Sequence, residues 1–580
     1  MVQSSALSPG ARAGALAGLA ATTADDPLDV LVVGGGVVGT GAALDAVSRG
    51  LTVGLLEQRD LASGTSSRSS KLVHGGLRYL EMFDFGLVRE ALEERGLLLT
   101  RLAPHLVRPV PFLYPLHRTV QRPYVGAGLA LYDVLAMAGK YEMGLPKHKH
   151  LFRKQVARIA PDLRTDDLSG AVRYYDCQVD DARLVVTLAR TAAHHGTLVA
   201  TRTRVTGFLR DGARVVGVRA TDLETGTDLE VRARTVLNAT GVWTDDVERL
   251  LGGTPSLDVE ASKGIHLVVP RDRIRSECGF TTKTEKSVLF VIPWGRHWII
   301  GTTDTAWDLD LAHPAASRTD IEYLLGHVNT MLKVPLDHTD VEGVYAGLRP
   351  LLAGKPGRGV GSGGEGEVAT SKVSREHTVV SPAPGLVLIA GGKLTTYRVM
   401  ARDAVDLAVR GWPEVAPSHT ERVPLLGADG FLTRTNQRVS LSRRSGLEVG
   451  RIDHLLGRYG GLVDELLALV AARPELGVPL PGAEDYLSAE IVYAVTHEGA
   501  RHLDDVLARR TRISIETFDR GTVAVTAAAD LMATELGWDR ARRDDEVDHY
   551  LRRVEAERQS QEKLTDQEAD EARVSAPDIV

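Results

Sequence analysis

Leu28-Asp29-Val30-Leu31-Val32-Val33 is a β-branched run that passes without a break into Gly34-Gly35-Gly36-Val37-Val38-Gly39, and Thr40 to Ser48 behind it is a small-residue segment suited to a helix. Strand, GxGxxG and helix in that order make the phosphate end of a dinucleotide site. Each glycine has its own task. Gly34 makes the tight turn, Gly36 lets backbone N–H groups approach a pyrophosphate, and Gly39 lets the helix pack closely on the strand. The helix N-terminus adds partial positive charge where the phosphates lie. Leu51-Thr52-Val53-Gly54-Leu55-Leu56 reads as a second strand ending at Glu57, a carboxylate placed to accept from ribose hydroxyls. An acidic residue there favours a free 2′-hydroxyl over a 2′-phosphate.

FAD and NAD share this first unit, and later segments of the chain favour FAD. The hydroxyl-rich stretch after Glu57 brings Thr65, Ser66, Ser67, Ser70 and Lys71, then His74, Gly75 and Gly76, to a pyrophosphate and a ring. A strand beginning at Thr235 leads into Ala239-Thr240-Gly241, a turn that brings backbone near the nucleotide. Leu386-Val387-Leu388-Ile389-Ala390 opens onto Gly391-Gly392-Lys393-Leu394-Thr395 at a helix N-terminus. Returns from separate parts of the chain imply a long ligand lying across a whole domain.

The 580 residues carry 69 Lys and Arg against 76 Asp and Glu, a net charge of −7, which disfavours nucleic acid or any other general polyanion as partner. Cys177 and Cys278 stand in neither a disulfide nor a zinc spacing, and a reducing, cytoplasmic setting fits best. Lys147-His148-Lys149-His150 and His194-His195 lack a metal-ligand set, so no metal is expected. Residues 1–26 read as a disordered extension and not as a secretory signal, because the apolar run is broken by Gly14 and Gly18. Residues 354–366 read as a flexible loop, and a Pro/Ser linker near 412–420 precedes a region of helical periodicity, 421–555. The Glu/Gln/Asp-rich tail, 556–580, is expected to be disordered. No apolar run reaches the length of a membrane span. Residues 125–138 are apolar and flanked by Arg118, Arg122, Lys140, Lys147 and Lys149, which suits either a core helix or a helix lying in an anionic membrane surface.

Further motifs complete the reading. Ser69-Ser70-Lys71-Leu72-Val73-His74-Gly75-Gly76-Leu77-Arg78-Tyr79, Lys263-Gly264-Ile265-His266, Gly301-Thr302-Thr303-Asp304, Tyr345-Ala346-Gly347-Leu348-Arg349-Pro350 and Gly391-Gly392-Lys393-Leu394-Thr395-Thr396 together resemble the FAD-dependent glycerol-3-phosphate dehydrogenases. The resemblance implies an α/β protein with a glutathione-reductase-type FAD-binding Rossmann domain, a mixed-sheet substrate domain and an all-helical C-terminal domain. It places the FAD domain in 27–110, 160–265 and 340–415, and the substrate domain, with any membrane-docking segment, in 111–159 and 266–339. It also implies noncovalent FAD, oxidation of sn-glycerol 3-phosphate to dihydroxyacetone phosphate, and electrons passed to a membrane quinone by an enzyme held peripherally at the inner face of the cell membrane. An oxidase passing electrons to O₂ is the alternative, and a homodimer is left open. In the resembled family the positions matching Arg78, Tyr79, His266, Arg349, Arg375 and Lys393 line the substrate pocket. A phosphomonoester needs cations, and the planar fork of Arg serves it bidentately. Oxidising an alcohol needs a base, for which His266 is the first choice because it titrates near neutral pH. Lys393, at a helix N-terminus, can receive negative charge developing on the flavin. His266, Arg349 and Lys393 are thus the expected catalytic set.

Overall fold

A computed structural model describes residues 5–76, 84–118, 121–137, 144–284, 288–352 and 377–579. The opening strand, Leu28–Val33, pairs in parallel with Val53–Leu56 on one side and Thr227–Asn238 on the other, in an eight-stranded sheet. Leu198–Ala200 and Leu386–Gly391 extend the parallel order outward. Successive residues of a strand point to opposite faces. Val30 and Val32 accordingly enter one apolar cluster, with Ala42, Ala43, Leu188 and Ala401 of the helices Val37–Ser48, Asp181–His194 and Tyr397–Ala408. Leu31 and Val33 enter another, with Phe208, Val218 and Val231 of the antiparallel meander Thr203–Asp211, Arg214–Asp222 and Thr227–Asn238. Both faces being covered explains why the strand is apolar throughout.

The N-terminal segment expected to be disordered is a helix, Pro9–Ala20, capped by Ser8 and started by Pro9. It closes the second face of the sheet: Leu19 is fully buried, and Arg12 donates to the Thr201 carbonyl at 2.8 Å and pairs with Asp222. The Ala/Gly-rich composition offers little burial per residue, but a preformed apolar sheet needs only Ala15, Leu16 and Leu19 to hold the helix.

The second sheet has ten strands and is almost wholly antiparallel. Toward one end of it Val259–Pro270 lies between His297–Gly301 and Gly343–Leu352. Arg108–Leu116 and Gly170–Gln178 belong to the same sheet. Residues 170–178, 259–265 and 343–352, which the sequence boundaries gave to the FAD domain, are therefore substrate-sheet strands. The chain crosses between the sheets in mid-motif, where no change of composition marks it.

The C-terminal region is mostly helical, with apolar clusters built around Ile452, Leu455 and Leu466 and around Ile491, Val506 and Met532, but it is not all-helical: Pro479–Leu480 pairs antiparallel with Ala483–Leu487 in a short hairpin. The tail expected to be disordered instead continues it. Arg540–Ser560 buries Tyr550 and Val554, and Asp566–Val574 buries Ala569 against Trp307 and Leu348. Its charges are paired rather than merely solvated, Asp566 with Lys263 and Asp578 with Arg59. The expected 354–366 loop lies outside the described residues.

The apolar 125–138 segment falls largely within the helix Gln121–Met137. Leu129 and Tyr132 are buried, and the Tyr132 hydroxyl donates to Asp176 at 2.8 Å and accepts from the Gly75 N–H at 2.9 Å. Leu131 and Val134 remain exposed. One face is thus core and the other is an apolar surface. Among the described residues no helix is long and apolar enough to cross a membrane.

Candidate active site

The glycine-rich turn has the geometry its spacing requires. A Cβ on Gly39 would lie 1.9 Å from the Gly34 carbonyl oxygen, so only glycine lets the helix approach the turn this closely. Ser66 Oγ accepts from the Val37 N–H at 3.0 Å at the helix N-terminus, which seats the hydroxyl loop over the phosphate end. Glu57 stands where the ribose is expected. Its oxygens accept from Gly35 N–H at 2.6 Å and Arg59 N–H at 2.8 Å, while burial raises its pKa above the ordinary carboxylate value.

These groups line one cleft with about 1640 Å³ of atom-free space. Gly34, Gly36, Glu57, Thr65, Ser66, Ala239, Gly241, Gly391, Gly392, Lys393 and Leu394 all reach its wall, so the segments read as separate returns do converge. A helix N-terminus, close-approach glycines and a ribose carboxylate in one long cleft fit a dinucleotide. Trp243, just beyond the Ala239-Thr240-Gly241 turn, also lines the cleft, as do residues 203–205, which carry no motif and were not anticipated.

Other residues assigned to the cofactor do structural work nearby. Lys71 is fully buried, its ammonium donating to Asp181 at 2.8 Å and to the Ser67 carbonyl at 3.0 Å, so it ties down the hydroxyl loop and does not line the cleft. Gly75 gives its N–H to Tyr132, and the His74 backbone N–H donates to Thr395 Oγ1 at 3.1 Å. Gly76 adopts a left-handed φ of 73°, and Ser67 is buried.

Ser70 turns toward the strands that carry His266 and Tyr345. Its Oγ lies 2.8 Å from His266 Nε2. His266 sits across from Gly301 on one side and Tyr345 on the other. The imidazole stacks on the Tyr345 ring at 4.7 Å with 12° between planes, while the Tyr345 hydroxyl donates to the Ser69 carbonyl at 3.1 Å. A Cβ on Gly301 would come within 2.3 Å of the imidazole, and one on Gly347 within 2.4 Å of the Arg68 carbonyl oxygen, so the sheet is bare where loop and ring lie on it. Burial, then the Arg349 and Lys71 charges, hold the His266 pKa well below the ordinary histidine value. The ring is neutral at pH 7.

Arg349 lies on the strand four residues beyond Tyr345, and a Cβ on Gly264 would meet its guanidinium at 2.4 Å. Nη2 donates to Thr302 Oγ1 at 3.0 Å and to the Thr303 carbonyl at 3.2 Å, and Nη1 stands 3.6 Å from Asp304. This fixes the plane of the fork. Tyr345 was not singled out by sequence reasoning, although its place in the Tyr-Ala-Gly-Leu-Arg run, on the same strand face as Arg349, was the available signal. Arg78, Tyr79 and Arg375 lie outside the described residues.

Known proteins are similar to this chain along most of its length. The model of a family described as FAD dependent oxidoreductase matches residues 29–398, and that of the C-terminal domain of alpha-glycerophosphate oxidase matches residues 418–543. Glycerol-3-phosphate dehydrogenase 2 of Mycobacterium tuberculosis is 55% identical over 555 residues, covering 95% of this chain and 92% of its own. The mitochondrial glycerol-3-phosphate dehydrogenase of Homo sapiens is 34% identical over 542 residues, covering 90% of this chain and 72% of its own. The solved glycerol-3-phosphate dehydrogenase of Bacillus halodurans, complexed with FAD, superimposes with a TM-score of 0.76 at 28% identity, over 95% of this chain and 98% of that one.

Proposed function

This chain belongs to the family of FAD-dependent oxidoreductases, with FAD as the dinucleotide of its cleft, and on that premise we propose that it oxidises sn-glycerol 3-phosphate to dihydroxyacetone phosphate and passes the electrons to a membrane quinone. The observation that carries the reading is the pairing of a neutral, buried imidazole, His266, with a fixed guanidinium, Arg349, on adjacent strands of the substrate sheet. Relatives named for this dehydrogenase support the substrate.

In this reading Arg349 receives the phosphate through its planar fork. His266 takes the proton of the secondary hydroxyl, which requires the neutral ring that burial enforces. Ser70 and Tyr345 hold that ring in place, and Lys393, beside the Gly391-Gly392 turn, faces the negative charge of the reduced state. Bound FAD supplies the hydride acceptor. Arg78, Tyr79 and Arg375 complete the pocket by resemblance. The exposed Leu131 and Val134 face, with cations flanking it in sequence, supports peripheral docking at the inner face of the cell membrane, where quinone resides.

The test is the visible spectrum of the purified protein under anaerobic sn-glycerol 3-phosphate, followed by re-oxidation. Bleaching that a quinone analogue reverses rapidly and air only slowly is expected. Rapid recovery in air with peroxide would make the protein an oxidase, and a flavin that this substrate leaves oxidised would sink the substrate assignment.

A further inference from the structure

A second, much smaller cavity lies where the hydroxyl loop, the substrate sheet and the C-terminal helices meet. Ala312 belongs to the wall of the FAD cleft and His313 to this cavity, so a single peptide segment divides them. Five guanidiniums line the cavity, those of Arg68, Arg509, Arg512, Arg553 and Arg573, and they face one lining carboxylate, Glu557.

The pairing of these cations is uneven. Arg512 is committed to Asp180 and Asp181, and Arg509 to Asp60, Asp504 and Asp505. Arg553 pairs with Asp504 and with Glu557 at 2.8 Å. Arg573 stands 3.7 Å from that same Glu557, and its remaining contacts are the Ala576 carbonyl and His313 Nδ1, each at 3.2 Å. Arg68 donates to the Ala312 carbonyl at 3.1 Å and, among the described residues, pairs with no carboxylate. Burial and the neighbouring arginines push the Arg68 guanidinium down to about 9, the direction expected of a cation held among like charges. His313, pushed down to about 2 by burial and Arg573, contributes no charge of its own at neutral pH.

We propose that this cavity is a second anion site, in which Arg68 and Arg573 bind a compact oxyanion, a phosphate group either free or as a phosphomonoester. Two incompletely neutralised planar forks facing one cavity match the bidentate geometry of phosphate oxygens. An anion there supplies the counter-charge that Arg68 lacks and that Arg573 shares with Arg553 at Glu557. The cavity also shares Tyr345 with the catalytic strands, since its wall includes the residue on which His266 stacks.

The experiment uses the full-length, FAD-loaded enzyme at constant ionic strength. Thermal unfolding is followed against inorganic phosphate, with chloride as the matched salt, in an Arg349→Ala background that removes the phosphate-binding fork proposed for the catalytic cleft. A saturable rise in Tm of about 1–3 °C is expected. It should vanish when Arg68→Gln or Arg573→Gln is added and be only partly retained with Arg68→Lys, which keeps the charge and loses the fork. Repeating the titration with glycerol 2-phosphate assigns the source, the ligand that saturates at lower concentration being the one the site prefers. If the glutamine variants fail to retain FAD, tungstate soaked into crystals of the unmodified enzyme should give an anomalous peak between Arg68 and Arg573. A phosphate response no larger than that of chloride, a response that persists without Arg68 and Arg573, or a tungstate-soaked cavity without a peak would each overturn the proposal.

Discussion

At the scale of single residues, the proposed chemistry rests on how His266 and Arg349 are held. The imidazole is clamped by Ser70 at Nε2 and by the face of Tyr345, and the guanidinium by Thr302 and the Thr303 carbonyl. Arg349→Lys keeps the charge and loses the fork; a charged hydrogen bond contributes about 1.5–3 kcal/mol, so kcat/KM for sn-glycerol 3-phosphate should fall about 10–100-fold. Steady-state kinetics with an artificial acceptor check this, and unchanged efficiency would count against a phosphate role. Ser70→Ala should leave FAD bound, slow turnover and move the acid limb of the kcat/KM profile, because the hydroxyl touches the group that titrates. In the unmodified enzyme that limb should lie well below pH 6.5, since burial holds His266 neutral down to there. A limb at or above 6.5 would disqualify His266 as the base.

At the scale of elements, the turn after the first strand and the apolar helix each make a prediction. Gly39→Ala would force a methyl to within 1.9 Å of the Gly34 carbonyl, so the helix must shift away from the phosphate end of the cleft. The flavin-to-protein absorbance ratio of the purified variant should drop to a small fraction of that of the parent; full FAD content would mean that the turn tolerates the displacement. The helix Gln121–Met137 was read as either core or membrane surface, and it is two-faced: Tyr132 is locked to Asp176 while Val134 is 56% exposed. Val134→Glu should weaken co-sedimentation with anionic vesicles while leaving turnover with a soluble acceptor intact. Equal sedimentation of both proteins would remove this helix from any membrane role.

At the scale of the whole molecule, buried histidines set the response to acid. His266, His105 and His313 are all held below the ordinary histidine range, His105 to about 3 and His313 to about 2, with burial the first cause in each. The unfolded chain binds protons at these groups below about pH 6.5 and the folded chain does not, so stability declines as pH falls from there. His297 and His502, raised by glutamate partners, act in the opposite sense, and their contribution is lost as pH rises. Glu224 and Glu490, lowered to about 2, hold their stabilisation until the pH drops below about 4.5. The net expectation is a loss of about 2 kcal/mol between pH 6.5 and 5.5, read as a lower urea midpoint. A midpoint that holds or rises over that interval would show that the raised histidines dominate.

The sequence by itself determined what is local: a strand, turn and helix whose glycines are dictated by contacts a few residues apart, and the segments that return to one nucleotide. Gly34, Gly39, Glu57 and Ser66 were legible because spacing along the chain is their geometry. Arg349 and His266 were legible as motif residues, but their clamps were not, since the stack on Tyr345 exists only through pairing of strands about eighty residues apart in the chain. Lys71 shows the reverse. Read as a cofactor contact from its place in the loop, it is claimed by Asp181 across the fold. The order of the two termini was also decided in three dimensions, because an Ala-rich or charge-rich segment is held or left free according to the surface it meets. Leu19 meets an apolar sheet face and Asp566 meets the buried Lys263, and neither partner is visible from the segment itself.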